Sequence, residues 1–233
     1  MNYQEYRFDV IPSTQDFLRE KRGDGQNAVA VARMQSGGKG TKGRSFESAA
    51  GGLWLSILLF HENVPAKDGF LMMARSAVAV CKTLESYGLC PKIKWANDVL
   101  LNGKKVCGVL TENVCAGGKI LSTVFGIGLN VNNPLSEELG EIATNMAEAT
   151  GCKQNLQEVE KRLLKNFFAP FSFAEYASRL AYVGERVEFV ASDRTFTATL
   201  VGVSPQGELI LKEEGGEAMR YAYGEIAFSK RGR

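Results

Sequence analysis

The sequence predicts an α+β protein in two parts, a larger domain at residues 1–181 and a small β domain at residues 182–233. Two observations predict the larger part. Apolar residues recur at helical spacing over residues 65–87 and 153–168, and apolar runs of strand length lie between these segments. The third observation is the change after Gly184, where short alternating runs are separated by turn residues, as is typical of a small barrel-like β domain.

The composition narrows the class of protein. Of the 233 residues, 45% are apolar and 23% charged, which is ordinary for a globular chain. The net charge of +2 gives no electrostatic case for binding nucleic acid or a membrane surface. The first ten residues do not form a signal peptide, and no apolar run is long enough to span a bilayer. Five cysteines without a CxxC pair indicate reduced thiols, so we expect a cytoplasmic protein without structural zinc.

The elements of the first half are predicted in order. A short helix is expected over residues 13–22, because Ser13 can cap it and Asp16 follows three residues later. Residues 28–34 and 52–60 are apolar strands. A longer helix is expected over residues 65–87, and its buried face should consist of Phe70, Met73, Ala77, Cys81 and Leu84.

The second half begins with a hairpin. Asn102 and Gly103 stand between two apolar runs, and both turn residues accept positive φ. Residues 119–131 have glycine-punctuated strand character, and residues 153–168 and 173–180 are expected to be helical. Four strands are then predicted over residues 186–190, 195–203, 208–212 and 218–222.

A glycine-rich basic segment at residues 35–44 (QSGGKGTKGR) is the first candidate for a functional site. Glycines let backbone N–H groups approach an anion, and Lys39, Lys42 and Arg44 supply positive charge. The segment matches neither the P-loop pattern nor a convincing dinucleotide fingerprint. By itself it is equally well explained as a basic surface loop.

Two further segments carry polar residues beside glycines. Residues 94–98 (KWAND) lead into the hairpin, where KKVCG follows at residues 104–108. A strand lysine beside a glycine could point into a pocket, and Asn97 and Asp98 could position a nucleophile or a metal-bound phosphate. A hairpin with solvated lysines is the plainer alternative. In residues 126–131 (GIGLNV) the glycines indicate close backbone approach by a ligand or a strand, and packing explains them equally well.

In this order, the motifs together resemble the biotin–protein ligase family. Ser13-Thr14-Gln15 precedes the glycine-rich segment, and residues 224–226 (GEI) fit the end of that family's C-terminal domain. The resemblance covers essentially the whole chain. It implies a mixed β-sheet with helices, like the catalytic domain of class II aminoacyl-tRNA synthetases, and a small C-terminal SH3-type β-barrel. It also implies an enzyme that joins biotin to ATP as biotinyl-5'-AMP and then transfers biotin to a lysine of a biotin carrier protein.

The resemblance implies which residues bind biotin and ATP. The ureido head of biotin needs both donors and acceptors in an otherwise apolar slot, and the first motif and the loop glutamine offer both. The glycine-rich loop is expected to fold over the adenylate. The expected binding residues are Ser13, Thr14, Gln15, Gln35, Gly38, Lys39, Gly40, Thr41, Arg44, Trp95, Asn97, Lys105, Gly108, Gly128 and Asn130.

The resemblance also implies catalytic roles. Lys105 matches the lysine that contacts the biotin carboxylate and the α-phosphate, so it is expected to be the main catalytic side chain, with Lys39 and Arg44 adding positive charge. Mg²⁺ is expected to help stabilise the phosphoryl charge, with no ligand assigned. Asp98 is expected to accept a proton from the acceptor amine or to orient it. Trp95 is expected to wall the pocket.

Some departures and alternatives accompany the resemblance. Lys39 and Thr41 stand where the family usually has arginine, and because threonine loses the charge, weaker retention of the adenylate is expected.

The ligase motif begins at Ser13, so an N-terminal DNA-binding module is not expected. Family members of this form occur as monomers and dimers, which leaves a homodimer open. The alternatives are a lipoate–protein ligase and a non-catalytic module that binds biotin or a nucleotide.

Overall fold

The larger of two sheets contains seven strands. The computed structural model describes residues 2–192 and 194–229. The strands are β1 (Gln4–Ile11), β2 (Ala28–Gln35), β3 (Leu53–Pro65), β4 (Lys92–Lys94), β5 (Asp98–Leu101), β6 (Lys104–Ala116) and β7 (Lys119–Leu129). Their order is β1-β2-β3-β7-β6-β5-β4, with β1 parallel to β2 and the other neighbours antiparallel. This mixed sheet confirms the predicted α+β class.

Helices cover the sheet and complete the core. They are α1 (Thr14–Glu20), α2 (Gly69–Glu85), α3 (Glu137–Ile142), α4 (Met146–Thr150), α5 (Leu156–Phe168) and α6 (Phe173–Ala177). The hydroxyl of Ser13 accepts from the backbone N–H of Asp16, which confirms the predicted cap of α1. The predicted apolar face of α2 is buried at four of its five positions, and Phe70 packs against the same core partly exposed. In the part of the chain described, no helix is long and apolar enough to cross a membrane.

The β5–β6 hairpin has the turn that its sequence predicts. Asn102 and Gly103 have φ angles of 50° and 80°, so both central residues lie in the left-handed region. The turn pairs Leu101 with Lys104, and a register shift between Val99 and Leu100 then brings Asp98 opposite Gly108. The register therefore brings the end of the KWAND segment beside the lysine–glycine segment of β6.

The N-terminal strand β1 is not among the elements that the sequence predicts. Charged residues at Glu5, Arg7 and Asp9 interrupt its apolar positions, as is common on an edge strand. Arg7 donates two hydrogen bonds to Glu160 of α5, at 3.1 and 2.6 Å. Parallel pairing with β2 and this ion pair place the strand, and neither is visible in a local pattern.

The C-terminal sheet contains five strands. These are β8 (Arg186–Ala191), β9 (Thr195–Val203), β10 (Leu209–Lys212), β11 (Ala218–Tyr221) and β12 (Ile226–Phe228), in the antiparallel order β11-β10-β9-β8-β12. Within the described ranges β11 and β12 do not pair with each other, so the expected barrel is not closed. A closed barrel needs its end strands to meet in register, and these strands have only four and three residues.

The two sheets are joined around Trp95, which follows β4. Its indole Nε1–H donates to the carbonyl of Gly207 at 2.9 Å, and its ring lies 5.8 Å from the ring of Tyr223. Gly207 has φ of +89°, and a Cβ there would lie 2.2 Å from the ring of Phe70. Only glycine therefore fits where the β9–β10 connection meets the larger domain.

Candidate active site

One cavity collects most of the residues that the sequence singled out. It lies between α1, the glycine-rich loop and strands β3, β6 and β7, and its empty volume is about 500 Å³ including the solvent at its mouth. The predicted binding residues that line it are Ser13, Thr14, Gln15, Gln35, Lys39, Gly40, Thr41, Asn97, Lys105, Gly108 and Gly128. The sheet order β3-β7-β6 brings these distant segments together.

The buried end of the cavity, formed by Thr14, Gln15, Gln35 and Ser56, is a connected set of polar groups. The Thr14 hydroxyl lies 2.8 Å from Ser56 Oγ and donates to Gln35 Oε1 at 3.0 Å. Gln35 Nε2 donates to Ser48 Oγ at 2.9 Å. Ser56 Oγ donates to Gln15 Oε1 at 3.3 Å. Amide and hydroxyl groups of this kind recognise a small polar head in an apolar slot.

The exposed side of the cavity, formed by Lys39, Thr41, Asn97 and Lys105, carries positive charge. Lys105 Nζ pairs with Asp98 Oδ1 at 2.7 Å, and the two side chains are 34% and 30% exposed. Lys105 lies over Gly108, where a Cβ would meet its Cε and Nζ at 3.1 Å. Asp98 itself does not line the cavity but holds the lysine that does. The lysine thus has an ion-pair partner that it can exchange for an anionic ligand.

Phe46 explains why two of the cavity residues are glycine. Its ring atoms would lie 2.9 Å from a Cβ at Gly108 and 2.6 Å from one at Gly128. The ring centroid is also 5.5 Å from Lys105 Nζ, within the range of a cation–π contact. The aromatic ring therefore packs directly on the backbones of β6 and β7, so side-chain packing explains Gly128, the alternative that the sequence left open.

The glycine-rich loop is folded against α1. Lys39 Nζ lies 2.7 Å from Asp16 Oδ2. Gly38 has no room for a side chain, because a Cβ would lie 2.3 Å from the carbonyl of Phe46. The backbone N–H of Gly40 donates to the carbonyl of Arg44 at 2.7 Å, which closes the loop. The side chain of Arg44 is exposed, and Arg44 and Gly38 do not line the cavity.

Two other predicted binding residues lie outside the cavity. Trp95 is buried against Gly207 and Tyr223 in the C-terminal part, so its ring does not form a cavity wall. Asn130 is also buried; its Nδ2 donates to the carbonyl of Thr144, and its Oδ1 accepts from Asn133. Because the backbone N–H of Thr144 donates to the carbonyl of Lys105 at 2.9 Å, Asn130 supports the segment beside the lysine.

Three residues of the site belong to no motif that the sequence analysis used for binding: Phe46, Ser56 and Glu112. Ser56 is the single polar residue in the apolar run LWLSILLF, and a hydroxyl inside a buried strand is a signal that could have found it. Glu112 accepts from Gln15 Nε2 at 2.7 Å. No local pattern distinguishes this carboxylate, because its partner comes from a different part of the chain.

Other chemical groups near the site have limited roles. Burial raises the pKa of the Cys107 thiol, so it stays protonated and does not act as a nucleophile. In residues 2–192 and 194–229, no group of three or more His, Cys, Asp or Glu side chains could hold a metal ion. The fold and the site together define an α+β protein whose cavity suits a small molecule with a polar head and an anionic group.

Matches to family models and to known proteins show which family this chain belongs to. A model of the biotin/lipoate A/B protein ligase family matches residues 7–130, and one of the biotin protein ligase C-terminal domain matches residues 182–229. The bifunctional ligase/repressor BirA of Bacillus subtilis is 30% identical over 89% of this chain and 69% of its own length. The biotin–[acetyl-CoA-carboxylase] ligase of Mycobacterium tuberculosis is 26% identical over 87% and 79%.

A solved structure agrees with these matches. The biotin protein ligase from Aquifex aeolicus in complex with biotin and ATP is 30% identical, with a TM-score of 0.79 over 97% of this chain and 99% of that chain. The chain therefore belongs to the biotin/lipoate A/B protein ligase family, as the order of its motifs predicted.

Proposed function

We propose that this enzyme is a biotin–protein ligase, which adenylates biotin with ATP and transfers it to a lysine of a biotin carrier protein. The observation that carries the proposal is a single cavity with a polar buried end and a lysine on its exposed side. The relatives support it, because two are named biotin ligases and one solved structure holds both biotin and ATP. The polar end would bind the ureido ring, and the lysine would meet the carboxylate.

The first step joins biotin to the nucleotide. A carboxylate oxygen of biotin attacks the α-phosphorus of ATP, a P–O bond forms, and pyrophosphate leaves. Negative charge develops on the phosphoryl oxygens, and fixed cations in a site that excludes water stabilise it. Lys105 would supply the main charge and Lys39 and Arg44 a smaller one. In this step Lys105 would exchange part of its ion pair with Asp98 for the phosphate.

The second step transfers biotin to the acceptor. The acceptor amine attacks the activated carbonyl, an amide bond forms, and AMP leaves with the electrons of the broken C–O bond. The amine must lose a proton, and Asp98 would accept it or orient the amine, because it lies 2.7 Å from the lysine that faces the reacting centre. Asn97 supports this position: its Nδ2 donates to the carbonyl of Val109 at 2.7 Å.

The proposal extends to the metal, the domains and the partners. Mg²⁺ would arrive with ATP and be held mainly by its phosphates, since the described residues contain no cluster of three metal-binding side chains.

The boundary between the catalytic domain and the C-terminal domain would lie between residues 181 and 182. The match to the C-terminal domain model, which starts at residue 182, supports this boundary. We further propose a cytoplasmic location and a carboxylase carrier domain as acceptor.

Biotin-dependent exchange of labelled pyrophosphate into ATP tests the proposed function. Biotin should support exchange and lipoate should not. Lys105→Ala should lower exchange about 10²- to 10³-fold, the usual cost of losing one preorganised charge contact. Lys104→Ala is the matched control, because Lys104 Nζ donates to the carbonyl of Gly140 and does not line the cavity. Exchange with lipoate alone would indicate a lipoate ligase, and no exchange with either would indicate a binding module.

A further inference from the structure

Glu112 is a carboxylate outside every motif discussed above, and it lies behind the buried end of the cavity. It is part of β6, and its side chain is 34% exposed. One of its oxygens accepts from Gln15 Nε2 at 2.7 Å, and the other lies 3.7 Å from Arg19 Nη1. Arg22 also donates to the backbone carbonyl of Glu112 at 3.1 Å. Arg19 of α1 and Arg22, which follows that helix, therefore both contact Glu112 beside the Gln15 amide.

The contacts of Gln15 determine which way its amide faces. Nε2 lies 2.7 Å from the Glu112 carboxylate and 3.3 Å from the carbonyl of Val124. Both neighbours only accept hydrogen bonds, so the NH₂ group of the amide has to face them. The amide oxygen must then face the opposite way, and there it accepts from Ser56 and lies 2.6 Å from the position of a Cβ at Gly126. Glu112 therefore sets this orientation through the stronger of the two contacts.

The buried end consequently has more acceptors than hydrogens. Three contacts link the hydroxyls of Thr14 and Ser56 with each other and with the amide oxygens of Gln35 and Gln15. Two hydroxyl groups supply only two hydrogens, so one of the three contacts has none. The Gln35 oxygen already accepts from the backbone N–H of Thr14 at 2.9 Å and from the Thr14 hydroxyl at 3.0 Å, which occupies both of its lone pairs. The Gln15 oxygen accepts from Ser56 at 3.3 Å and keeps a second lone pair for an N–H donor of a ligand.

We propose that Glu112 is a positioning residue that determines specificity for biotin. By fixing the amide of Gln15, it makes the buried end present the Gln15 oxygen as an acceptor to an N–H group of a cyclic urea. This inference rests on the proposed function and adds to it a residue that acts through Gln15. If the amide were rotated, its NH₂ group would face the hydroxyl of Ser56 and the ligand N–H, and the oxygen would be lost as an acceptor.

Steady-state pyrophosphate exchange by the full chain tests this inference. Glu112→Lys replaces the acceptor with a donor and favours the rotated amide. We expect the KM for biotin to rise about 10- to 100-fold while the KM for ATP stays within about twofold. Glu112→Gln keeps an acceptor oxygen and should restore the KM for biotin to within about threefold of the native value. Glu158→Lys is the matched control, because it breaks a surface ion pair with Arg162 on α5.

A double-mutant cycle separates positioning from a general structural role. Gln15→Met removes the amide, so Glu112→Lys should have almost no further effect on the KM for biotin in that background. If Glu112→Lys does not fold, Glu112→Met, which introduces no charge, replaces it in the same cycle. An unchanged KM for biotin in the Glu112 variants, or additive effects in the cycle, would overturn the inference while leaving the ligase function intact. Absence of biotin-dependent exchange by the native enzyme would overturn both.

Discussion

The buried end and the exposed side of the cavity hold their polar groups in different ways. At the buried end, Thr14, Gln15 and Ser56 are 2%, 4% and 1% exposed and bond to one another or to neighbouring protein groups. On the exposed side, Lys39 and Lys105 are 45% and 34% exposed, and each pairs with a single carboxylate. The first arrangement is fixed before a ligand arrives, whereas the second can be exchanged for a ligand.

This difference indicates that the buried end and the exposed side have different functions. A buried hydrogen-bond network selects a ligand by the match of donors and acceptors, because a mismatch leaves buried groups unpaired. Half-exposed ion pairs are weaker, so a phosphate or carboxylate can replace them with little cost. We therefore expect changes at the buried end to act on biotin affinity, and changes at the exposed side to act on chemical steps or on the lifetime of the adenylate.

Besides the loss of Lys105, the largest effect on the exposed side is expected from a change at Asp98. Asp98→Asn removes the proton acceptor on the exposed side but retains a side chain that can hydrogen-bond Lys105. Transfer of biotin from preformed adenylate to a carrier domain should slow about 10²-fold, the lower range for a general base. Single-turnover transfer measures this effect, and pyrophosphate exchange by the same variant is the control. Transfer at the native rate would exclude a catalytic role for Asp98.

A substitution at Gly126 tests the buried end. A Cβ there would lie 2.6 Å from Gln15 Oε1, so Gly126→Ala should displace the amide from its contacts. Because that oxygen ends a flexible side chain, the fold should survive, but the KM for biotin should rise roughly 10- to 30-fold, as a misplaced binding group predicts. The control is Gly202→Ala, since a Cβ at Gly202 would have no neighbour within 4 Å. An unchanged KM would mean that the buried end adapts to its ligand.

The fold was predictable where the signal is local. The helical periodicity of α2 and α5 and the Asn-Gly turn each depend on a few adjacent residues, and all three are present. Strand β1 was missed because its charged residues hide an edge strand that pairs with β2. The expected barrel was wrong because the sequence indicates strands and turns but not whether β11 and β12 meet.

The site was predictable in its motifs and not in its supporting contacts. The family resemblance, carried by the order of the motifs, implied most of the polar residues that line the cavity. Glu112 was missed because it joins the site only through the sheet order β3-β7-β6, which does not follow the chain, whereas Ser56 had a local signal, a hydroxyl inside a buried strand. The resemblance implied that Trp95 walls the cavity, yet its indole N–H donates to Gly207, 112 residues away.

Loss of the contact between Trp95 and Gly207 should have a smaller effect, which lowers stability and leaves biotin binding unchanged. Trp95→Phe keeps an aromatic ring but leaves the carbonyl of Gly207 without its donor, which should lower the free energy of unfolding by about 1–3 kcal/mol. The KM for biotin should not change, because the buried end does not contact this ring. Urea denaturation and pyrophosphate exchange measure the two quantities. A large rise in the KM for biotin would show that the C-terminal domain also shapes the buried end. The buried end would then not be fixed by its own hydrogen bonds alone.

The smallest effect is expected at Thr41, which lines the exposed side where the family usually has arginine. Thr41→Arg would add a positive charge near the proposed adenylate phosphate, but at a half-exposed position an ion pair contributes only about 1 kcal/mol. Release of biotinyl-adenylate should therefore slow by no more than about fivefold, as measured by stopped-flow, with no change in the KM for biotin. Equal release rates would mean that the loop backbone and Lys39 already hold the adenylate, so that the missing arginine charge has no consequence.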